Sequence, residues 1–247
     1  MSGKVYLVGI GPGNRDNITP KAISALSNAP VIIGHKACLD LIAEFIAGKE
    51  IIAEDLSPVE RAEIATEQAL TGKNVAIVTT GDPGIYAIAS TFFSYLTGRE
   101  ITVPVEVIPG VTIANAAAAL LGSPLGHDFA VISLADLATT WVDIKRRLKS
   151  AAKAGFVIAL YNPKSKVGNQ RLKEAIAILL NYNKDSTPVG IVTDATGKAE
   201  KVQITTLGKA LRCHISTQTI LIVGNAKTFI FNDTMITPRA YRKGVGY

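Results

Sequence analysis

Three times in the first 112 residues a short apolar run stops at a Gly/Pro-rich turn, and helical sequence follows. The turns are Val8-Gly9-Ile10-Gly11-Pro12-Gly13-Asn14, Thr80-Gly81-Asp82-Pro83-Gly84-Ile85-Tyr86 and Ile108-Pro109-Gly110-Val111-Thr112. Near-continuous apolar runs such as Val75-Ala76-Ile77-Val78 are the pattern of strands buried on both faces. Parallel strands need a crossover, usually a helix, so this half of the chain is held to an α/β arrangement. In open α/β sheets small ligands bind beyond the carboxyl ends of the strands. Three Gly/Pro loops at one sheet edge therefore predict a small-molecule site.

The remaining pattern extends that reading. Strands are expected over residues 4–10, 31–34, 50–53, 74–80 and 103–108. Thr19-Pro20 opens a helix to about Asn28, with cap and N1 proline in place. A second helix is expected to turn Leu39, Leu41, Ile42, Phe45 and Ile46 inward. Ser57-Pro58-Val59-Glu60 is a capping box for a helix to about Thr71. Helices over 86–96 and 112–121 complete the half. Gly122-Ser123-Pro124-Leu125-Gly126 reads as a linker, giving α/β domains at 1–121 and 127–247. In the second, strands are expected at 129–134, 156–160, 188–193, 202–206 and 219–223, with helices at 140–154, 170–182 and 206–213. Residues 194–201 join two of these strands as a hairpin. The N-terminal sheet should thus be mostly parallel and the C-terminal sheet mixed.

Composition narrows the class. The chain has 247 residues, 48% of them apolar, enough to bury sizeable cores. No apolar run approaches the roughly 18 residues of a spanning helix, and Met1-Ser2-Gly3-Lys4 leads into no signal peptide. The expectation is a cytoplasmic protein with no membrane partner. Cys38 and Cys213 stand far apart in no ligand spacing, so free thiols are expected and no metal site. A net charge of +6 suits anionic partners or a solvated basic surface.

The first loop fails the dinucleotide fingerprint. Its glycines run G-x-G-x-G, Asn14 stands at the third fingerprint position, and Pro12 removes a main-chain N–H. The second strand ends at Gly34-His35, with no acid to hold a ribose, and no Gly-Lys-Ser/Thr is present for a phosphate. Asp82, between two glycines, offers either a carboxylate to a ligand or an Asx turn to its own loop.

Together, Gly-x-Gly-Pro-Gly after the first strand, Gly-Asp-Pro after the fourth and Pro-Gly-Val-Thr after the fifth resemble the tetrapyrrole methylase family. The likeness runs essentially end to end. Pro124-Leu125-Gly126-His127-Asp128-Phe129, Ala159-Leu160-Tyr161-Asn162-Pro163 and Thr237-Pro238-Arg239 resemble the members that act on precorrin-3B or its cobalt counterpart in cobalamin biosynthesis. The resemblance implies methyl transfer from S-adenosylmethionine to C(17), coupled to contraction of the ring. It implies a homodimer and an anionic tetrapyrrole substrate; no aromatic-rich basic strand or recognition-helix motif is present, so no nucleic-acid partner is expected. Other members, acting on different precorrin positions, diphthamide or ribosomal RNA, are the alternative.

Carried over by position, the cofactor contacts would be Pro12, Thr80, Gly81, Asp82, Ile85, Tyr86, Thr112 and Ile113, with Tyr161, Asn162, Ala195, Thr219 and Ile220. For the substrate side the candidates are His127 with Asp128 as a proton-transfer pair, and Ser133, Asp136, Trp141, Lys164 and Lys166 as lining. Arg146, Arg147, Arg171 and Arg239 are further cations for carboxylates, although Lys145-Arg146-Arg147 also reads as a solvated helix face. The sequence departs from the family pattern at Asn14, where an acid is usual, and at His35 and Cys38, near positions that often carry tyrosine.

Overall fold

The computed structural model describes residues 2–135, 139–164 and 169–239. The chain divides into two compact units, Met1–Ile113 and Ala114–Tyr247.

The first unit runs β1 (Val5–Gly9), α1 (Pro20–Asn28), β2 (Val31–Gly34), α2 (Lys36–Asp40), β3 (Glu50–Ile52), α3 (Pro58–Leu70), β4 (Val75–Thr79), α4 (Ile88–Gly98) and β5 (Val105–Ile108). Its sheet has the order β3-β2-β4-β1-β5 and every pairing is parallel. Alternate residues explain why the strands read as continuous apolar runs. Val5, Leu7, Val31, Ile33, Val75 and Ile77 pack with α3 and α4 on one face. Val8, Ile32, Ala76 and Val78 pack with α1 on the other. The helix starts are fixed locally: Thr19 accepts from the Ala22 N–H at 3.1 Å, and Ser57 and Glu60 form the expected capping box. The helix expected after β2 is broken, with α2 followed by a 3₁₀ turn over Ala43–Phe45. Leu39, Ile42 and Ile46 are buried as expected, but the break turns Leu41 outward, 42% exposed.

The second unit contains α5 (Ile113–Leu121, all but its first residue), β6 (Gly122–Ser123), β7 (Phe129–Ser133), α6 (Trp141–Lys153), β8 (Val157–Tyr161), α7 (Gln170–Leu180), β9 (Pro188–Thr193), β10 (Lys201–Thr206), β11 (Thr219–Val223), β12 (Phe229–Phe231) and β13 (Thr234–Ile236). Its five-stranded sheet has the order β10-β9-β11-β8-β7 and is mixed, as expected. The β7–β8 pair is parallel and the other three are antiparallel. The division falls before α5 rather than at the expected linker. The reason is packing: Leu121 lies so close over Gly190 of β9 that a Cβ there would be 2.3 Å from its Cδ1. The expected linker is partly a strand, since β6 pairs with β13. The β12–β13 hairpin went unforeseen in the sequence, and Asn232 and Asp233, both at positive φ, form its turn. No helix among the described residues is long and apolar enough to cross a membrane.

Candidate functional site

In the first unit the three Gly/Pro loops leave the carboxyl ends of β4, β1 and β5, which are neighbours in the sheet, and they touch one another through bare backbone. Gly11 and Gly81 exchange main-chain hydrogen bonds of 3.3 and 2.8 Å. A Cβ on Gly9 would lie 2.6 Å from the Gly81 carbonyl oxygen, and one on Gly110 would lie 2.1 Å from the same atom. These two glycines are needed for loop-on-loop packing, not for ligand approach. Gly81 differs. It has φ +66°, and the direction a Cβ would take is open, with Thr112 Cα the nearest atom at 4.0 Å.

Asp82 holds this arrangement together. Its Oδ1 accepts from the Gly84 N–H at 2.8 Å and its Oδ2 from the Gly110 N–H at 3.1 Å. It therefore closes an Asx turn in its own loop and ties that loop to the one after β5. The structure gives it the turn-forming role and extends that role across two strands. Beside it, Thr80, Ile85 and Tyr86 are exposed, and Tyr86 is held at φ 52°. Pro12, Thr112 and Ile113 are half-buried at the same edge. Asn14, at the departing position, accepts from the Asn17 N–H and caps a 3₁₀ turn over Arg15–Asn17. Apart from Asp82, no charged residue occurs in the three loops.

At the adjoining end of β2, Cys38 lies beside the loop. Its thiol is pushed up from the ordinary value by burial, and this is partly offset by a hydrogen bond from the Thr80 main chain and by the nearby Arg61 guanidinium. Both cysteines are free and half-buried. His35 is exposed, and its Nδ1 accepts from the Ala37 N–H to cap α2.

In the second unit a comparable cluster forms where β7, β8 and β9 end and β11 begins. The Tyr161 hydroxyl accepts from the Ala114 N–H at 3.1 Å, satisfying a donor in the first turn of α5. The Asn162 amide, on a residue at φ 51°, donates to the Ser133 hydroxyl at 3.0 Å. Ala195, Thr219 and Ile220 are buried, and the Thr219 hydroxyl is already engaged with Thr193 at 2.8 Å and with the Ser216 N–H at 2.9 Å. A ligand at this edge would meet main chain at these three positions rather than side chains. Asp194 and Thr196, which the sequence reading passed over, are also left-handed, and the Thr196 hydroxyl is buried without a partner.

Several expected substrate residues are not brought to that edge. His127 and Asp128 precede β7, whereas Ser133 closes it; five residues of strand separate Asp128 from Ser133 by about 17 Å. The His127 Nδ1 accepts the Asp128 main-chain N–H at 2.7 Å and lies 3.3 Å from the Asp128 carboxylate. With Arg239 and Gly126 they line a separate depression of about 420 Å³. Trp141 packs against the core, donates its indole N–H to Glu174 at 2.7 Å and lies under the Arg171 guanidinium. That bond holds the Glu174 carboxyl below its ordinary value. Trp141 is thus a packing residue of the α6–α7 pair. Arg146 pairs with Asp143 on its own helix, and Arg147 is exposed. Lys164 is half-buried after β8. Lys166 and Asp136 lie outside the described residues.

Comparison with known proteins identifies the group. The family described as Tetrapyrrole (Corrin/Porphyrin) Methylases matches residues 4–211. The chain belongs to the tetrapyrrole methylase family. A cobalt-factor III methyltransferase of Priestia megaterium is 40% identical over 98% of this chain, which spans only 46% of that longer protein. A probable cobalt-factor III C(17)-methyltransferase of Salmonella typhimurium is 39% identical over 95% of this chain and 98% of its own. A precorrin-3B C(17)-methyltransferase of a Sinorhizobium species is 35% identical over 98% of both chains. Among solved structures, the methyltransferase CobJ superposes with a TM-score of 0.89 and 32% identity, over 96% of this chain and 100% of that one. A uroporphyrin-III C-methyltransferase of Thermus thermophilus, solved with S-adenosylhomocysteine, shares the fold at a TM-score of 0.72 and 24% identity, over 90% of this chain and 97% of that one.

Proposed function

We propose that this tetrapyrrole methylase transfers a methyl group from S-adenosylmethionine to C(17) of a corrin precursor of the cobalt-factor III or precorrin-3B type, coupled to ring contraction in cobalamin biosynthesis. The observation that carries the reading is the closed three-loop cluster at β4, β1 and β5, with Gly81 open beside Thr112 and no cation in the loops. A phosphate ligand would call for a cation or an anion-binding helix start. An uncharged adenosyl group bearing a sulfonium calls for bare backbone, hydroxyls and a fixed frame, and these residues fit it.

When bound, the cofactor supplies an electrophilic methyl group. The chain's part is to place it. Asp82 fixes the Gly81–Tyr86 loop against Gly110, so the loop is pre-organised before ligand arrives, and rate gain through positioning depends on that kind of rigidity. Gly81 offers its main chain at close range, and Thr80, Thr112 and the exposed Ile85 and Tyr86 offer hydroxyls and apolar cover. Pro12 and Ile113 border the same edge. Tyr161, Asn162 and the main chain of Ala195, Thr219 and Ile220 are proposed as further cofactor contacts on the strength of the family resemblance. Ser133 and Lys164 are proposed for the substrate side. His127 and Asp128 are not kept as a proton-transfer pair. A homodimer working in the cytoplasm is part of the same proposal, and sedimentation velocity tests the dimer.

The experiment is incubation with methyl-labelled S-adenosylmethionine and either cobalt-factor III or precorrin-3B. Label in the tetrapyrrole, matched by equimolar S-adenosylhomocysteine and a contracted ring, is the expected result. Transfer to a different tetrapyrrole only would move the activity elsewhere in the family. Failure to bind S-adenosylhomocysteine at all would overturn the reading.

A further inference from the structure

Among the described residues, Arg61 is an arginine left without a counter-ion. It is the fourth residue of α3, just past the capping box, and its main-chain N–H bonds to the Ser57 carbonyl at 3.1 Å. Its side chain is half-buried, its Nε is withdrawn from solvent with no acceptor, and no carboxylate among the described residues pairs with it. Other arginines of the protein are provided for. Arg15 and Arg146 pair with Glu44 at 3.2 Å and Asp143 at 2.7 Å. Arg99 lies over the Tyr95 ring and Arg171 over Trp141. Arg147, Arg212 and Arg239 are exposed to water. A guanidinium partly removed from water, with an unmet N–H and no anion, is costly unless something else supplies the acceptor.

Its place in the fold says what could. α3 follows β3 in a sheet whose pairings are all parallel, so its first turn, which carries Arg61, lies at the carboxyl edge, as do Cys38 and Thr80. Cys38 follows β2 and Thr80 follows β4, and these strands are neighbours. Arg61 therefore stands one strand over from the three loops, at the same carboxyl edge of the sheet.

We propose that Arg61 is a substrate-binding residue whose guanidinium fork takes a peripheral carboxylate of the tetrapyrrole at the β2–β4 edge. This rests on the function proposed above and adds to it the residue that recognises the substrate's acid groups. Arginine matches a carboxylate with two parallel N–H donors, which lysine cannot do, so the fork as well as the charge is used.

The test compares wild type with Arg61→Gln, which keeps most of the stem, and with Arg61→Lys, which keeps the charge. S-adenosylhomocysteine affinity is measured by calorimetry. Affinity and KM are then measured for cobalt-factor III and for its methyl ester. Loss of a charge-assisted bidentate contact predicts an affinity loss and KM rise of about 10- to 100-fold in Arg61→Gln and a smaller one in Arg61→Lys. S-adenosylhomocysteine affinity should be unchanged, and the penalty for esterifying the substrate should be smaller in Arg61→Gln than in wild type. If Arg61→Gln does not fold, the Arg61→Lys comparison carries the test. An unaltered KM in the variant that folds, or an equal esterification penalty in it and wild type, would overturn the proposal. Absence of turnover and of cofactor binding in wild type would instead strike at the function itself.

Discussion

Gly110→Ala is the sharpest perturbation of the loop cluster. Its Cβ would sit 2.1 Å from the Gly81 carbonyl oxygen and 2.8 and 2.9 Å from the Gly9 carbonyl carbon and oxygen. All three obstacles are backbone, so no side chain can swing aside. Relief needs a separation of about 1 Å or more between the loops after β4 and β5, judged against ordinary carbon contacts of roughly 3.5 Å. That movement acts on three hydrogen bonds: the two between Gly11 and Gly81, and the one from the Gly110 N–H to Asp82. At roughly 0.5–1.5 kcal/mol for each neutral bond and 1.5–3 for the one to a carboxylate, full loss would cost about 2.5–6 kcal/mol. Partial relaxation puts the expected destabilisation near 3 kcal/mol, at the upper end of ordinary overpacking.

The assay is urea denaturation followed by far-UV circular dichroism, with Trp141 fluorescence reporting the second unit alone, since the chain has one tryptophan. With a slope of about 2 kcal/mol per molar, the first unit's midpoint should fall by about 1.5 M while the fluorescence transition stays nearer its place. S-adenosylhomocysteine affinity should drop at least tenfold. A Gly110→Ala protein that melts with wild type and binds the cofactor equally well would refute the claim that these loops meet at bare backbone.

Further outcomes follow from the same geometry. Gly81→Ala should cost only about 1–2 kcal/mol, from its left-handed φ, because the space beside it is open; its cofactor affinity should fall more than its stability does. Gly98→Ala, at the end of α4 with nothing near its missing Cβ, should leave the stability measured by denaturation unchanged or raise it by up to about 1 kcal/mol. Asp82→Asn should keep the Asx turn through its amide oxygen but present an N–H₂ to the Gly110 N–H, losing about 1.5–3 kcal/mol in a melt and weakening S-adenosylhomocysteine binding. Cys38 gives the pH dependence. Its folded thiol is raised above the ordinary 9.0, so stability tied to the neutral form is intact below pH 9 and is lost as pH rises through the higher folded value. Denaturation from pH 8 to 10.5 should show a decline that is shallower in Cys38→Ala, and equal slopes would contradict the assignment.

Much of the architecture could be read from local signals. The capping box, the N1 prolines and the apolar runs each act within a few residues, and the elements they announce are present. The three loops were visible for the same reason: each is a strand end and a glycine turn. What escaped the sequence depends on partners far along the chain. Asp82 reads as a ligand contact or a local Asx turn until the Gly110 N–H, 28 positions later, is seen against it. Arg61 carries no signal in the sequence, and only the packing around α3 shows that its Nε has no acceptor among the described residues. His127 sits beside Asp128 in sequence, yet their contact places a main-chain N–H on Nδ1, and β7 carries Ser133 to the opposite end of the sheet. The β12–β13 hairpin lacked alternation, because Phe229-Ile230-Phe231 is apolar throughout; the Asn232-Asp233 turn was its one signal. The division before α5 follows from Leu121 settling over Gly190, a contact between segments that no linker composition encodes.

The central claim is that the loops after β4, β1 and β5 hold the methyl donor. A crystal structure of the protein with S-adenosylhomocysteine tests it most directly. The account predicts ligand density against Gly81, Thr112 and the Ile85–Tyr86 segment, with Asp82 still bonded to Gly84 and Gly110. Density elsewhere, or an Asp82 released from both glycines to bind the ligand, would contradict it.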